Sequence, residues 1–327
     1  MTEQAIDVLG IGNAIVDVLA RVDDAFLEER ELPKGSMQLI DSERADILYA
    51  ELRDGVACSG GSAANTTVGL LSLGSRAAYI GKVAQDELGQ TFAREIRAQE
   101  VLFETPPLEG DVGTARCLIL VTPDAQRTMM TFLGASALLA ERDIDAELVR
   151  RARLVYLEGY LFDSPEAKAA FVLAARLAHG QGRRVALTLS DSFCVDRHRV
   201  AFREFIADHI DIVFANEDEI CALYETDFVA ATAALRRHCE IAALTRGARG
   251  AVIVSGDQRV EILPHPVQSV VDTTGAGDLF AAGFLHGLIR GGSLEAAGRC
   301  GAIAAAEIIS HFGARPERSL AALVAMS

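Results

Sequence analysis

The sequence predicts an α/β fold in which a mostly parallel central sheet is flanked by helices. Strand-length apolar runs alternate with segments of helical period, which is the pattern of parallel strands joined by helical crossovers. The chain has 327 residues, of which 50% are hydrophobic and 24% charged. Such a chain has enough apolar side chains for the core of one large domain, or of about two domains of roughly 150 residues.

The alternation can be followed element by element. The run AIDVLGIG predicts a first strand, GSAANTTVGLLSLG a buried helix, RAAYIGKV a strand and ELGQTFAREIRAQEV an amphipathic helix. The pattern resumes after residue 153 and ends in a Gly/Ala-rich helical segment; its runs are LVYLEGYL, AKAAFVLAARLAHGQG, RVALTLSD, VAFREFIADHI, DIVFAN, EDEICALYE, IAALTRG and AVIVSG.

Two β-prone segments interrupt this rhythm. CLILVTPDAQRTMMTF contains two apolar runs around a Pro-Asp turn, which predicts a hairpin, and KGSMQLID is a further β-like piece. We expect them to form a small β lid, contributed by about 14–58 and 108–134, on a single domain of residues 1–327.

Charge and cysteine usage limit the classes of partner. Lys and Arg number 31 and Asp and Glu 46, so the net charge of −15 repels nucleic acid and anionic membranes. The six cysteines include no C-x-x-C pair, which is typical of reduced thiols, and the acidic N-terminal segment has no features of a signal peptide. We therefore expect a cytoplasmic protein that binds neither nucleic acid nor membranes.

Three glycine-rich segments are candidates for phosphate binding. Gly10-Ile11-Gly12 lacks the third glycine of a dinucleotide fingerprint, and we interpret it as a tight turn after a strand. Gly81-Lys82 lacks both the upstream glycine and the following Ser or Thr of a Walker P-loop, which excludes that motif.

The third segment, Asp272-Thr273-Thr274-Gly275-Ala276-Gly277-Asp278, opens a helix. Backbone amides of Gly275, Ala276 and Gly277 can converge there on an anion, with Asp278 in the first turn beside it. On a simpler interpretation Asp278 complements only the helix dipole, worth about 0.3–1 kcal/mol. Since an amide cradle with an adjacent carboxylate suits phosphoryl transfer to an alcohol, we predict that Asp278 is the general base.

Four motifs carry a family resemblance. DTTGAGDLFAAGFLHGL resembles the C-terminal signature of the ribokinase-like (PfkB) family of sugar and nucleoside kinases, and GGSAAN with YIGKVAQDELG resembles its N-terminal signature. NEDE resembles the family's N-x-x-E motif and TRG its T-x-G turn. The motifs follow the family's order over essentially the whole chain. The resemblance implies a ribokinase-like three-layer sandwich with a small β lid.

The same resemblance implies ATP-dependent phosphorylation of a primary hydroxyl, with Asp278 as base and Gly275, Ala276 and Gly277 as anion hole. It places Mg²⁺ at Glu219, through water, and ATP at Asn216, Thr245, Gly247 and Gly313. Taken alone, Asn216 and Glu219 indicate a polar helix start. Asp272 and Thr274 match a monovalent-cation loop of some members, so K⁺ is a further candidate ligand.

On the substrate side the resemblance implies contacts from Asn13, Asp17, Met37, Leu39, Gly60, Gly61, Asn65 and Phe193. A carboxylate such as that of Asp17 can accept from two adjacent hydroxyls, which suits a ribose diol. Met37, Leu39 and Phe193 fall where adenosine kinases hold the base. Arg127, in the predicted hairpin, would reach the phosphates when the lid closes.

The stretches GIGNAIVD, YLEGYLFDSPEA and TLSDSF resemble adenosine kinases, so the leading prediction is conversion of adenosine to AMP. One alternative is a kinase of a free sugar such as ribose, fructose or 2-keto-3-deoxygluconate, although GGSAAN lacks the lysine of the G-G-K-G-A-N motif of ribokinases. Another is an inactive nucleotide-binding sensor. The predicted partners are ATP and a small nucleoside or sugar, bound by a monomer or homodimer.

Overall fold

Strands and helices alternate along the chain as the apolar pattern predicts. A computed structural model describes residues 5–52, 55–124 and 126–326. Residues 1–4, 53–54, 125 and 327 fall within the predicted limits of the domain or the lid but lie outside the described residues.

The strands of the described ranges are β1 (Ile6–Ile11), β2 (Ile15–Arg21), β3 (Met37–Leu39), β4 (Val56–Gly60), β5 (Ala77–Ile80), β6 (Leu102–Phe103), β7 (Ala115–Val121), β8 (Arg127–Phe132), β9 (Ala152–Glu158), β10 (Arg184–Thr188), β11 (Ile212–Asn216), β12 (Ile241–Thr245), β13 (Ala251–Ser255) and β14 (Gln258–Ile262). The helices are α1 (Asp24–Glu29), α2 (Ser42–Glu51), α3 (Ser62–Ser72), α4 (Glu87–Ala98), α5 (Ala146–Arg151), α6 (Pro165–His179), α7 (Ser192–His209), α8 (Glu217–Tyr224), α9 (Phe228–Leu235), α10 (Ala276–Ile289), α11 (Leu294–Ile308) and α12 (Leu320–Ala325). Within these ranges, no helix combines the length and the apolar character needed to cross a membrane.

The central sheet of the described chain has nine strands in the order β14-β13-β12-β11-β10-β9-β1-β5-β6. All neighbours from β12 to β6 pair in parallel, and β13 and β14 add antiparallel strands at one edge. Successive residues of β9 enter two different cores: Leu154 and Tyr156 pack with α3, α10 and α11, whereas Val155 and Leu157 pack with α5, α6 and α7. Helices cover both faces, so the strands are continuous apolar runs. The α/β fold with a mostly parallel central sheet is confirmed.

The remaining described strands form a five-stranded sheet in the order β3-β8-β7-β2-β4. Strands β7 and β8 pair antiparallel with Val121 opposite Arg127, which confirms the predicted hairpin. β3 pairs parallel with β8, so KGSMQLID does contribute a strand. One face of this sheet packs against α1, α2 and α4 through residues such as Leu120, while the other carries Cys117 and Met129 toward a cleft.

The topology determines where that cleft lies. From β1 the chain continues to β5 on one side, and it later returns to β9 on the other side. In parallel α/β sheets ligands bind beyond the carboxyl ends of the strands at such a switch point. Asn13 follows β1 at this edge, and Glu158, Asn216 and Thr245 end β9, β11 and β12 there.

Candidate active site

A cleft of about 710 Å³ opens at the carboxyl ends of the parallel strands, a size usual for small-molecule sites. It is bounded by the five-stranded sheet and by the starts of α3, α7, α8 and α10. The predicted site residues that line it are Asn13, Asp17, Met37, Leu39, Gly61, Phe193, Asn216, Glu219, Thr245, Gly247, Thr274, Gly275, Ala276, Gly277 and Asp278. The other predicted residues, Gly60, Asn65, Arg127, Asp272 and Gly313, lie outside this lining.

Asp278 lies in the first turn of α10, as predicted, and its carboxylate is held by two donors from α3. Ser62 Oγ donates to Oδ1 at 2.6 Å and Asn65 Nδ2 donates to Oδ2 at 2.9 Å. Burial raises the pKa of Asp278 above its usual range, while these hydrogen bonds and the charge of Arg315 oppose the rise. A fixed carboxylate with a raised pKa is suited to accept a proton from a bound hydroxyl.

The turn before α10 presents backbone amides to the cleft. Gly275 has φ +78°, and a Cβ there would lie 3.0 Å from the Cβ of Ala314, so the turn requires glycine. The Ala276 amide donates to the Thr273 carbonyl at 3.2 Å. In the described part of the chain the amides of Gly275 and Gly277 have no backbone acceptor. Two amides at the positive end of a helix are therefore available to an anion.

Glu158, at the end of β9, is fully buried and accepts three hydrogen bonds at this edge of the sheet. Its carboxylate accepts from Asn13 N at 3.2 Å, Asn13 Nδ2 at 2.7 Å and Ala63 N at 2.8 Å. Burial raises its pKa to about 7, against the effect of these hydrogen bonds. Glu158 thus orients Asn13 and accepts a hydrogen bond from a backbone amide in the first turn of α3, which has no partner within the helix. A Cβ on Gly12 would lie 2.4 Å from its Oε2, which explains the glycine after β1.

The carboxylate of Asp17, on β2, projects into the cleft against the backbone of Gly60. A Cβ on Gly60 would lie 2.3 Å from Asp17 Oδ2, so this close approach needs glycine. Gly61, the N-cap of α3, has φ +97°, and a Cβ there would lie 2.3 Å from the carbonyl oxygen of Asn13. Burial raises the pKa of Asp17 to about 6.

Part of the cleft lining is apolar and comes from β3, from β8 with the residue after it, and from the start of α7: Met37, Leu39, Met129, Leu133 and Phe193. Phe193 is 70% exposed, so a flat ligand would gain by covering it. Asp163, which also lines the cleft, accepts hydrogen bonds from Arg197 at 2.9 Å and His198 at 2.6 Å. The Asp163 carboxylate is therefore already paired with these two side chains. The apolar lining residues stay available for contact with a ligand.

Three of the four residues predicted to bind ATP also line the cleft: Asn216, Thr245 and Gly247. Asn216 caps α8 by accepting from Glu219 N at 2.8 Å, and Glu219 accepts in return from Asn216 N at 3.0 Å and Nδ2 at 2.6 Å. This reciprocal cap is the helix-start role that the two residues indicate by themselves. Glu219 also lines the cleft, where burial raises its pKa to about 7. A nearby cation would favour its ionised form, and its remaining lone pairs suit Mg²⁺ bound through water.

Arg127 links the five-stranded sheet to the turn before α10. It donates from Nη1 to Thr274 Oγ1 at 2.6 Å and from Nη2 to Asp272 Oδ2 at 2.7 Å. Asp272 also accepts from the amides of Thr274 and Gly313, each at 3.0 Å. Burial alone would raise the pKa of Asp272, but these hydrogen bonds lower it below its usual value. A guanidinium therefore supplies positive charge at the position where the resemblance implies K⁺.

Sequence reasoning missed four residues around the cleft: Ser62, Glu158, Tyr160 and Arg315. Ser62 and Glu158 lie inside stretches that the sequence singled out, GGSAAN and YLEGYL, at a helix start and a strand end. A search for polar residues at such ends could have found both. Tyr160 lies in the same YLEGYL stretch but is not a polar residue at a strand end, and Arg315 carries no comparable signal; both enter the site through packing.

Comparison with known proteins assigns the chain to a family. Residues 39–319 match the family model described as pfkB family carbohydrate kinase. The chain belongs to the PfkB family. The solved structure of adenosine kinase from Sinorhizobium meliloti is 51% identical, with a TM-score of 0.92 over 98% of this chain and 99% of that one.

Other PfkB relatives carry two kinds of name. A probable sugar kinase from Rhizobium etli CFN 42 is 46% identical, with a TM-score of 0.92 over 99% of both chains. The adenosine kinase of Saccharomyces cerevisiae is 27% identical over 330 residues, which cover 93% of this chain and 94% of the relative. This PfkB protein is therefore a sugar or nucleoside kinase, an ATP-using phosphotransferase with a hydroxyl group as acceptor.

Proposed function

We propose that this PfkB kinase phosphorylates adenosine to AMP. The observation that carries the proposal is that the Asp17 carboxylate and an apolar wall of Met37, Leu39 and Phe193 line one cleft. Asp17 and Leu39 stand in the same row of the five-stranded sheet, where Asp17 pairs with Cys117, Cys117 with Thr131 and Thr131 with Leu39. A carboxylate suits the ribose diol, and an apolar wall suits a base. The likeness to the adenosine kinase of S. meliloti supports the same substrate.

In the proposed mechanism Asp278 accepts the proton of the ribose primary hydroxyl as that oxygen attacks phosphorus. The hydrogen bonds from Ser62 and Asn65 keep its carboxylate in one orientation. The amides of Gly275 and Gly277 stabilise negative charge on the transferring group, whereas the Ala276 amide donates to the Thr273 carbonyl. ATP, bound with Mg²⁺, would supply the γ-phosphoryl group: the bond from the γ-phosphorus to the β,γ-bridging oxygen breaks, and ADP leaves.

ATP would be bound by Asn216, Thr245 and Gly247. Gly313 would contribute from the segment that packs against the turn before α10. Glu219 fits Mg²⁺ through water because its carboxylate lines the cleft, and a bound cation would favour its ionised form against the effect of burial. K⁺ at Asp272 and Thr274 stays a prediction, and any such ion would share these groups with Arg127.

The direct test is ATP consumption by the wild-type enzyme, with Mg²⁺, across a panel of nucleosides and free sugars. We expect adenosine to give the highest kcat/KM. Turnover of ribose, fructose or 2-keto-3-deoxygluconate without turnover of adenosine would contradict the proposal and favour the free-sugar alternative. ATP consumption with no member of the panel would favour a substrate outside both classes.

Replacing Asp17 by alanine should weaken productive binding of adenosine by about 1–3 kcal/mol, the usual value of hydrogen bonds to a charged group. The loss should be smaller for 2′-deoxyadenosine, because one of the two hydroxyls that Asp17 accepts from is already missing. The measurement is kcat/KM for both nucleosides in wild type and variant. Equal losses for the two nucleosides would show that Asp17 does not bind the diol.

Phe193→Ala completes this comparison, since it removes apolar contact with a base but leaves a sugar site unchanged. A nucleoside kinase should lose kcat/KM in both variants, whereas a free-sugar kinase should lose it only in Asp17→Ala. Val229→Ala is the control, because this variant also shortens an exposed apolar side chain but lies on α9, outside the cleft lining. Unchanged adenosine kinetics in Phe193→Ala would remove this residue from the base site.

Replacing Glu219 by glutamine should raise the Mg²⁺ concentration needed for half-maximal rate. The amide can still accept the hydrogen bond from Asn216 Nδ2, so the start of α8 should survive at a cost of about 1 kcal/mol. Glu87→Gln, in the exposed first turn of α4, is the matched control. The measurement is a Mg²⁺ titration of initial rate; an unchanged midpoint would leave Glu219 with the capping role alone.

A further inference from the structure

A partly buried arginine that no motif predicts lies behind the cleft. Arg315 donates from Nη1 to the carbonyl of Ala64 at 2.8 Å and from Nη2 to that of Ser59 at 3.1 Å. None of the described carboxylates forms an ion pair with its guanidinium. Its hydrogen-bond partners are neutral oxygens, the carbonyls of Ser59 and Ala64 and the Ser59 hydroxyl, so its charge is not cancelled by a direct partner.

The segment that carries Arg315 contacts both the turn before α10 and the junction between β4 and α3. The Gly313 amide donates to Asp272 at 3.0 Å, and Ala314 lies against Gly275 at the turn before α10. Ser59 and Ala64, the acceptors of Arg315, flank the GGS segment that leads from β4 into α3. Arg315 therefore joins the amide-bearing turn to the strand–helix junction that holds Ser62 beside Asp278.

The charge of Arg315 acts on the two cleft carboxylates from one side. It opposes the effect of burial on the pKa of both Asp17 and Asp278. The other titratable or charged groups that interact with these two carboxylates come from several elements: Arg127 of β8, Cys58 of β4, Cys117 of β7, Tyr156 and Glu158 of β9, Tyr160 and Glu219. Among the described residues Arg315 is the basic group that acts on Asp278.

We propose that Arg315 is a positioning residue: its hydrogen bonds tie the amide-bearing turn to the start of α3, and they hold its positive charge beside the segments that contact Asp17 and Asp278. Arginine suits both tasks because its fork of donors can serve two carbonyls while the guanidinium stays charged. The inference rests on the proposed roles of the two carboxylates, and it holds for whichever hydroxyl substrate the enzyme uses.

The test compares pH profiles of kcat/KM for wild type and Arg315→Gln, with the substrate that the wild type phosphorylates best. Glutamine can still donate to one carbonyl but carries no charge. On the acid side of the profile, kcat/KM falls as the carboxylates become protonated, and we call this part the acid limb. In Arg315→Gln we expect the acid limb to move to a higher pH by about one unit, since a nearby opposite charge lowers a carboxylate pKa by about 1–3 units. Activity at a pH below the limb should fall about tenfold and should recover as the pH is raised.

Arg315→Lys separates the charge from the tether. Lysine keeps the charge but lacks the fork that reaches both carbonyls, so the acid limb should stay in place while KM rises several-fold. Arg203→Gln is the matched control, because the half-buried Arg203 donates to the Leu223 carbonyl away from the cleft. Its profile should coincide with that of the wild type.

The proposal is overturned if the Arg315→Gln profile coincides with that of the wild type, or if its activity falls by the same factor at every pH. Should the glutamine variant fail to fold, the lysine variant decides: an unmoved limb with raised KM supports the proposal, and any other pair of results overturns it. If the wild type phosphorylates a sugar and not adenosine, the proposed substrate fails, and the same comparison with that sugar still tests Arg315.

Discussion

Replacing Asp278 by asparagine is expected to lower kcat by about 10²–10⁴-fold, the scale of a positioned general base. Asparagine is nearly the same shape and can still accept from Ser62, so the geometry at the start of α10 should persist. ATP binding should change little, because Asp278 is proposed to act on the acceptor hydroxyl. The measurements are kcat under saturating substrates and the ATP dissociation constant.

The control removes a carboxylate with only a dipole role. Glu295 lies in the first turn of α11, so Glu295→Gln loses the same kind of interaction with a helix start, worth about 0.3–1 kcal/mol, without touching the cleft. Its kcat should equal that of the wild type. If Asp278→Asn also retained near-normal turnover, Asp278 would be a dipole-complementing residue and not the base.

Replacing Gly275 by alanine is expected to lower kcat by about 10²-fold or more. The new Cβ would meet the Cβ of Ala314 at 3.0 Å and its Cα at 3.1 Å, and the left-handed backbone disfavours any Cβ by about 1–2 kcal/mol. The turn must shift, which moves the amides of Gly275 and Gly277 away from the anion. Loss of one such donor costs about 10²–10³ in kcat.

Gly291→Ala isolates the backbone strain from the loss of the amides. Gly291 has φ +80° with open space around its Cβ direction, and it follows the far end of α10. Both variants should lose about 1–2 kcal/mol of unfolding free energy to backbone strain, and Gly275→Ala should lose more because of its contact with Ala314. Only Gly275→Ala should lose kcat. Equal kcat in the two variants would mean that the turn before α10 does not bind the transferring group.

Local patterns predicted the parts of the molecule that are built from neighbouring residues. The alternation of apolar runs predicts the parallel sheet because burial on both faces acts on each strand separately. The hairpin around the Pro-Asp turn is a local structure, and so is the amide-bearing turn before α10. Asp278 could be placed in a first helical turn because the glycines and the helix that follow one another in sequence form one unit.

Partners distant in the chain could not be predicted in the same way. Asn65 is predicted to contact a sugar, but the structure places its amide on the Asp278 carboxylate, 213 residues away in sequence. Arg127 is predicted to reach phosphates, and here it pairs with Asp272. Both side chains have several donors, and which acceptor each one meets depends on how α3, α10 and the five-stranded sheet pack together.

The sequence by itself determined the family and the order of the elements, and it predicted the residues that carry the chemistry, because motif residues and apolar periodicity are local properties of the chain. Only the tertiary structure decided that Glu158 orients Asn13 and that Arg315 stands behind Asp17 and Asp278. The physical reason is that burial and charge act through space: a carboxylate acquires its pKa from the groups that folding brings around it, and these groups come from β2, β9, α10 and the segment after α11.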